Sequence, residues 1–158
     1  FLNKKENSKL KNYLLQYNKA KLISVWDIET YLKQGESDTV EFKEDITNNI
    51  IQTAIAFSNT KGGLILVGIT DNKKVKGVKN IANSIDRITS MIVTGCKPSI
   101  NPSITHQVFR NRKIIVVEIN ESDTVITDTD NTVFIRKNGQ NRKPSPSEMK
   151  FLLEVKGI

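Results

Sequence analysis

FSNTKGGLILVGI, residues 57–69, runs from the end of a helical pattern through two glycines into a continuous apolar stretch. Leu64–Ile69, bounded by glycine and bearing no charge, suits a strand buried on both faces. Upstream, Ile46, Ile50, Ala54 and Phe57, with Ile51 and Ile55 alongside, give a helix a broad apolar stripe. Asp45 or Thr47 is expected to cap that helix, which ends near Asn59–Gly62. Gly62 and Gly63 turn the helix into the strand where a Cβ would clash. The stretch contains neither G-x-G-x-x-G nor a phosphate-loop G-x-x-x-x-G-K-S/T, so nothing in it supports ATP or dinucleotide binding.

Moving outward, Thr39–Lys43 alternates, with Val40 and Phe42 on one face and Thr39, Glu41 and Lys43 on the other, as in a half-buried strand. A short helix is expected from Ser24 through Val25, Ile28 and Leu32 to Gly35. Before it, Leu10, Tyr13, Leu14 and Tyr17 space an amphipathic helix in a lysine-rich arm. Downstream, Asp71–Lys74 reads as a turn and Val75–Val78 as a short return strand. Ile81–Thr94 has helical spacing, and Ser103–Phe109 and Lys113–Asn120 read as strands joined at Arg110-Asn111-Arg112. Thr132–Arg136 is a further strand, Arg136–Lys143 a basic loop, and Ser145-Pro146-Ser147-Glu148 opens a last helix with a capping box. The fold class is α+β: a single compact domain with a mixed, largely antiparallel sheet flanked by helices. Residues 1–23 form a helical arm or extension and 24–158 the domain.

The chain has 158 residues, 24 Lys and Arg against 17 Asp and Glu, and a net charge of +7, which suggests an acidic partner such as nucleic acid. No apolar run reaches the roughly 20 residues of a membrane span, and the N-terminal residues lack a secretory core. One cysteine, Cys96, excludes an internal disulfide framework and a Cys-rich zinc site. The expectation is an intracellular, cytoplasmic protein without a membrane partner. His106 stands alone on its strand and Cys96 has no partner histidine motif, so a hydrolase triad is not supported.

Two groups of residues carry candidate chemistry. Lys73, Lys74, Lys76 and Lys79 fall in one hairpin; Arg136, Lys137, Asn138, Gln140, Arg142 and Lys143 surround a glycine. Cations and side-chain amides on flexible backbone suit phosphate and sugar contacts. At 6% aromatic residues, stacking platforms for bases are scarce. The other group is acidic. Glu41-Phe42-Lys43 resembles the E-x-K half of a metal-nuclease site, with Glu41 and Lys43 on one strand face. Glu36 converges with Glu41 only if the chain bends between them, and Asp71 follows the buried strand. The pentapeptide ESDTV occurs at Glu36–Val40 and again at Glu121–Val125; only the first copy runs on into EFK, so by itself it is turn-forming material.

Read together, GESDTVEFKE, AIAFSNTKGGLILVGITDNKKVKGV and FIRKNGQNRKPSPSEM resemble the AlbA-like domain of the Schlafen family, over about Ile28 to Leu153. Ser58 stands where the family usually has alanine, and Lys137 directly follows Arg136. The resemblance implies an α+β fold related to a nucleic-acid-binding module, DNA or RNA, of the kind found in transcriptional regulators, acting through the two basic segments and needing no cofactor. It also implies an alternative. In Schlafen nucleases that cut structured RNA such as transfer RNA, the positions matching Glu36, Glu41 and Asp71 hold Mg or Mn, and Lys43 would assist. Those nucleases build a basic valley from two lobes, so this chain would need a homodimer or a companion domain. A third expectation is a protein-interaction module whose basic loops meet an acidic partner.

Overall fold

The computed structural model describes residues 3–23 and 26–157, those of 15–23 without their side chains. Helix α1 (Lys4–Ile23) carries Leu10, Tyr13 and Leu14 exposed; Tyr17 lies outside the described side chains. Helix α2 (Ile28–Gln34) starts later than the sequence suggests. Asp27 caps it, accepting from Thr30 N, because a carboxylate three residues before that N–H reaches it directly. Ser24 and Val25 lie outside the described residues.

Strand β1 (Val40–Lys43), helix α3 (Asn49–Asn59) and strand β2 (Gly63–Val67) form a βαβ unit, with β1 and β2 parallel. Strands β3 (Ser103–Phe109) and β4 (Arg112–Ile119) complete a sheet of order β1-β2-β4-β3, antiparallel across β2–β4 and β4–β3. The sheet is therefore mixed and largely antiparallel, as expected. Leu64, Leu66, Ile114 and Val116 face α2, while Ile65, Val67, Ile115 and Val117 face α3 and helix α4 (Ile81–Gly95). Each face of β2 is covered, which is why its sequence shows no polar alternation. Full burial of each such aliphatic side chain contributes about 1.5–3 kcal/mol.

Several local expectations shift. Neither Asp45 nor Thr47 caps α3; Asn48 occupies the cap without a side-chain bond, and Asp45 instead pairs with Lys76. Val75 makes an isolated bridge to Ile69 rather than a return strand. The segment from Arg136 is not a loop but a hairpin of β5 (Ile135–Lys137) and β6 (Gln140–Arg142), turning at Asn138 and Gly139, both at positive φ. Helix α5 (Pro146–Lys156) has the expected capping box between Ser145 and Glu148. Cys96 is buried and its thiol is pushed up to about 12, first by burial and then by the charge of Asp128. His106 is exposed on β3. No helix among the described residues is long and apolar enough to cross a membrane.

Gly62 and Gly63 sit where backbone must pass closely. A Cβ on Gly62 would lie 2.7 Å from Ile119 O, and one on Gly63 2.7 Å from Thr39 O. These contacts place the glycines between the first ESDTV, which leads into β1, and the second, which leaves β4. At the other end of the sheet, β1 and β2 finish and β4 begins.

Candidate nucleic-acid interface and carboxylate cluster

Glu41 projects from β1 onto the face covered by α3, and the face expected to be polar is closed. Its Oε2 lies 2.6 Å from Arg136 Nη1 and its Oε1 3.0 Å from Lys43 Nζ. Arg136, expected to contact phosphates, has a side chain only 1% exposed. Its Nε and Nη2 donate to Ser37 O at 3.1 and 3.0 Å, Nη2 also to Val40 O at 3.2 Å, and Nη1 to Asn141 Oδ1 at 2.8 Å. Together with the Glu41 pair this uses every guanidinium N–H, and Cζ lies 5.1 Å from the Phe57 ring centre. Arg136 is thus a clamp joining β5, β1 and α3. Reaching a phosphate would mean abandoning Glu41 inside the protein, a step costing several kcal/mol.

The chain does bend between Glu36 and Glu41. Ser37 N donates to Val40 O, and Glu36 Oε1 accepts from Phe42 N at 3.0 Å along the free edge of β1. The Glu36 carboxyl is pushed up chiefly by burial, against the Phe42 hydrogen bond, with further upward pressure from Glu41 and Asp71. The three carboxylates therefore share a neighbourhood. Yet no group of three His, Cys, Asp or Glu among the described residues is placed to hold a metal ion. Glu41 already spends one oxygen on Arg136 and the other on Lys43, and Glu36 spends Oε1 on a backbone N–H. This arrangement does not fit a Mg or Mn centre. Lys43 is engaged with Glu41, and Asp71 is exposed beyond β2.

The two basic segments differ in how far their charge is neutralised. In the hairpin, Arg142 makes a bidentate pair with Glu148, at 2.9 and 2.6 Å, and Lys137 stands 3.7 Å from the same carboxylate. Glu148 is held well below the usual carboxylate range, first by Arg142 and then by Ser145. Asn138 is at the turn and Gln140 is exposed, while Lys143 has no ion pair among the described residues. By contrast, Lys73, Lys74 and Lys79 are exposed and unpaired among the described residues; Lys76 alone of that segment pairs, with Asp45 at 2.8 Å and Glu44 at 3.5 Å.

Sequence reasoning missed three further cations, Arg87, Arg112 and Lys113. The β2–α4 connection, the face of α4 and the β3–β4 turn enclose a cleft of about 600 Å³, to which Lys76, Lys79, Arg87, Arg112 and Lys113 contribute. In sequence Arg87 falls within the helical spacing of Ile81–Thr94, Arg112 in the turn Arg110-Asn111-Arg112 and Lys113 at the start of a strand. Only the sheet order brings them beside Lys79.

Fold and charge define a basic three-layer α+β domain built on a mixed four-stranded sheet. The chain belongs to the Schlafen AlbA_2 family, whose sequence profile matches residues 36–145. In fold it is similar to the DIP2311 protein of Corynebacterium diphtheriae, with TM-score 0.61 and 16% identity over 83% of this chain. It spans about a third of that protein, 32% of its length. It is also similar to the N-terminal domain of a DNA helicase RecG-related protein from Nitrosomonas europaea, with TM-score 0.56 and 19% identity over 73% of this chain and 91% of that one. No curated protein matches the sequence.

Proposed function

We propose that this chain is a nucleic-acid-binding domain that grips phosphates through the Lys73–Lys79 segment, with Lys143 adding to the field. The observation that carries the reading is that the exposed Lys73, Lys74 and Lys79 ammonium groups have no ion pair among the described residues, while the cations of the β5–β6 hairpin are largely held by Glu41 and Glu148. Unpaired cations can exchange counterions for phosphates at no cost in broken ion pairs. Membership of the family supports the same reading. Cleavage at Glu36, Glu41 and Asp71 would first require Glu41 to leave Arg136 and Lys43, so binding is the activity we assign.

Fluorescence anisotropy with labelled DNA and RNA tests it. With about four phosphates engaged, affinity should fall roughly a hundredfold between about 50 and 200 mM salt. Substituting Lys73, Lys74 and Lys79 by Gln should weaken binding and flatten that dependence. Absence of binding to either nucleic acid at low salt would remove the proposal.

A further inference from the structure

The cleft at the end of the sheet has a structure of its own. It lies where β1 and β2 end at their carboxyl termini, the end of a parallel pair at which open α/β sheets form ligand crevices. Its rim is fixed by backbone. Lys76 N and Gly77 N both donate to Gly68 O, at 2.8 and 2.9 Å, and Val78 N donates to Lys113 O at 2.8 Å. Gly77, at φ +77, lies so near Arg112 that a Cβ there would stand 3.0 Å from the arginine Cβ. The β2–α4 connection is thereby pressed flat against the start of β4, and Arg112, Lys113 and Lys79 are presented on one rigid surface.

The charges inside are unevenly matched. Five cations, Lys76, Lys79, Arg87, Arg112 and Lys113, meet two carboxylates, Glu44 and Asp45, and both carboxylates bond Lys76 at one wall. Lys79, Arg87 and Lys113 have no ion-pair partner among the described residues. Among the described residues no aromatic side chain lines the cleft. Its volume falls within the range of pockets that take small ligands.

We propose that this cleft is the seat of the sugar–phosphate backbone, holding about one nucleotide's phosphate and sugar between Lys79, Arg87, Arg112 and Lys113, with its base left outside. The inference rests on the nucleic-acid-binding reading and names where on the domain the strand enters. Without an aromatic platform the cleft cannot stack a base, so recognition there is of charge and shape, not of sequence. Glu44 and Asp45 act as an acidic lip: they restrain Lys76 and repel phosphate from that wall, directing the strand towards α4 and the β3–β4 turn.

The experiment uses the whole chain with Arg87→Gln and Lys113→Gln combined, chosen because neither side chain has an ion-pair partner to lose. A charge-matched control replaces Lys33 and Lys150. The cleft variant should bind labelled single-stranded DNA or RNA more weakly than the control, with a salt slope lower by about two. Glu44→Gln with Asp45→Asn should bind more tightly than the parent. A parent that binds nucleic acid while the cleft variant keeps its affinity and slope would overturn the inference and leave the broader reading standing. So would a preference of more than about tenfold for one base. If the parent binds no nucleic acid, the broader reading fails, and titration with pyrophosphate followed by amide chemical shifts decides the cleft alone. Shifts confined to residues 76–79, 87 and 112–113 keep it as a phosphate seat; shifts elsewhere or none reject it.

Discussion

At Glu36–Val40 and at Glu121–Val125 the same five letters make the same serine–threonine hydrogen bond. In each, the serine hydroxyl accepts from the threonine N–H two residues on, at 3.2 Å, and lies 3.5 Å from the threonine hydroxyl. In each, a cation donates to the serine carbonyl: Arg136 to Ser37 O and Lys156 Nζ to Ser122 O at 2.6 Å. The elements next to each turn separate the two copies. The first copy leads directly into β1, so its clamp is a buried arginine that also holds Glu41, and Asp38 accepts from Gly139 N at 2.9 Å. The second copy lies just beyond β4, and its lysine arrives from the last turn of α5 to meet an exposed Glu121. Here Ser122 N donates to Ser58 O, so the residue that departs from the family's usual alanine lies against the second copy. Identical local sequence fixed the turn, and the surroundings decided how much depends on it.

The two clamps should differ most when each is removed. Arg136→Ala leaves the buried Glu41 carboxylate with Lys43 alone and also removes the bonds to Ser37 O, Val40 O and Asn141, so it should cost about 3–5 kcal/mol, read as a shift in the urea midpoint at unchanged slope. Lys156→Ala removes hydrogen bonds to one backbone carbonyl and one exposed carboxylate, so about 1–2 kcal/mol is expected. Equal losses at the two sites would break the distinction between a clamp on a buried carboxylate and a clamp on an exposed one.

The aspartates give a finer version. Asp38→Ala loses the bond that ties the first turn to the β5–β6 hairpin and should cost about 1 kcal/mol. Asp123 has no such bond among the described residues, and Asp123→Ala should stay within about 0.5 kcal/mol of the parent. Thermal unfolding of the pair measured side by side checks this.

Smallest is the effect at Glu36. Its carboxyl is raised in the folded protein, mainly by burial, so the native state holds that proton more tightly than the unfolded chain. As pH rises through the unfolded and then the folded value, the parent should lose stability relative to Glu36→Gln; at pH about 3 the two should coincide. Urea midpoints at acidic and neutral pH provide the readout. The opposite trend would mean that the Phe42 N–H bond outweighs burial. Glu121, its counterpart in the second copy, is 55% exposed and paired with Lys156.

How much of the fold was legible depends on how far each interaction reaches along the chain. The capping box at Ser145–Glu148, the apolar run of β2 and the turn at Gly62, with its positive φ and its N–H bonded to Phe57 O, are local features, and the sequence carried them. The hairpin at Asn138-Gly139 left a local sign, an Asn-Gly pair between polar strands, which reading Arg136–Lys143 as a loop passed over. The cap of α2 went to Asp27 rather than Ser24 for an equally local reason.

The site divides along the same line. The sequence by itself determined the family, the excess of positive charge, the two basic segments and the identity of the two turns, because each is a property of residue type or close spacing. Tertiary structure alone decided which charges are available. Arg136 and Glu41 are 95 residues apart and neutralise each other inside, Arg142 is matched by Glu148, and Arg87 and Lys113 come from separate elements to face one cleft with Lys79. A charge's availability depends on what folds against it. No count of lysines and arginines contains that information, because desolvation and pairing are fixed only when the sheet brings distant residues together.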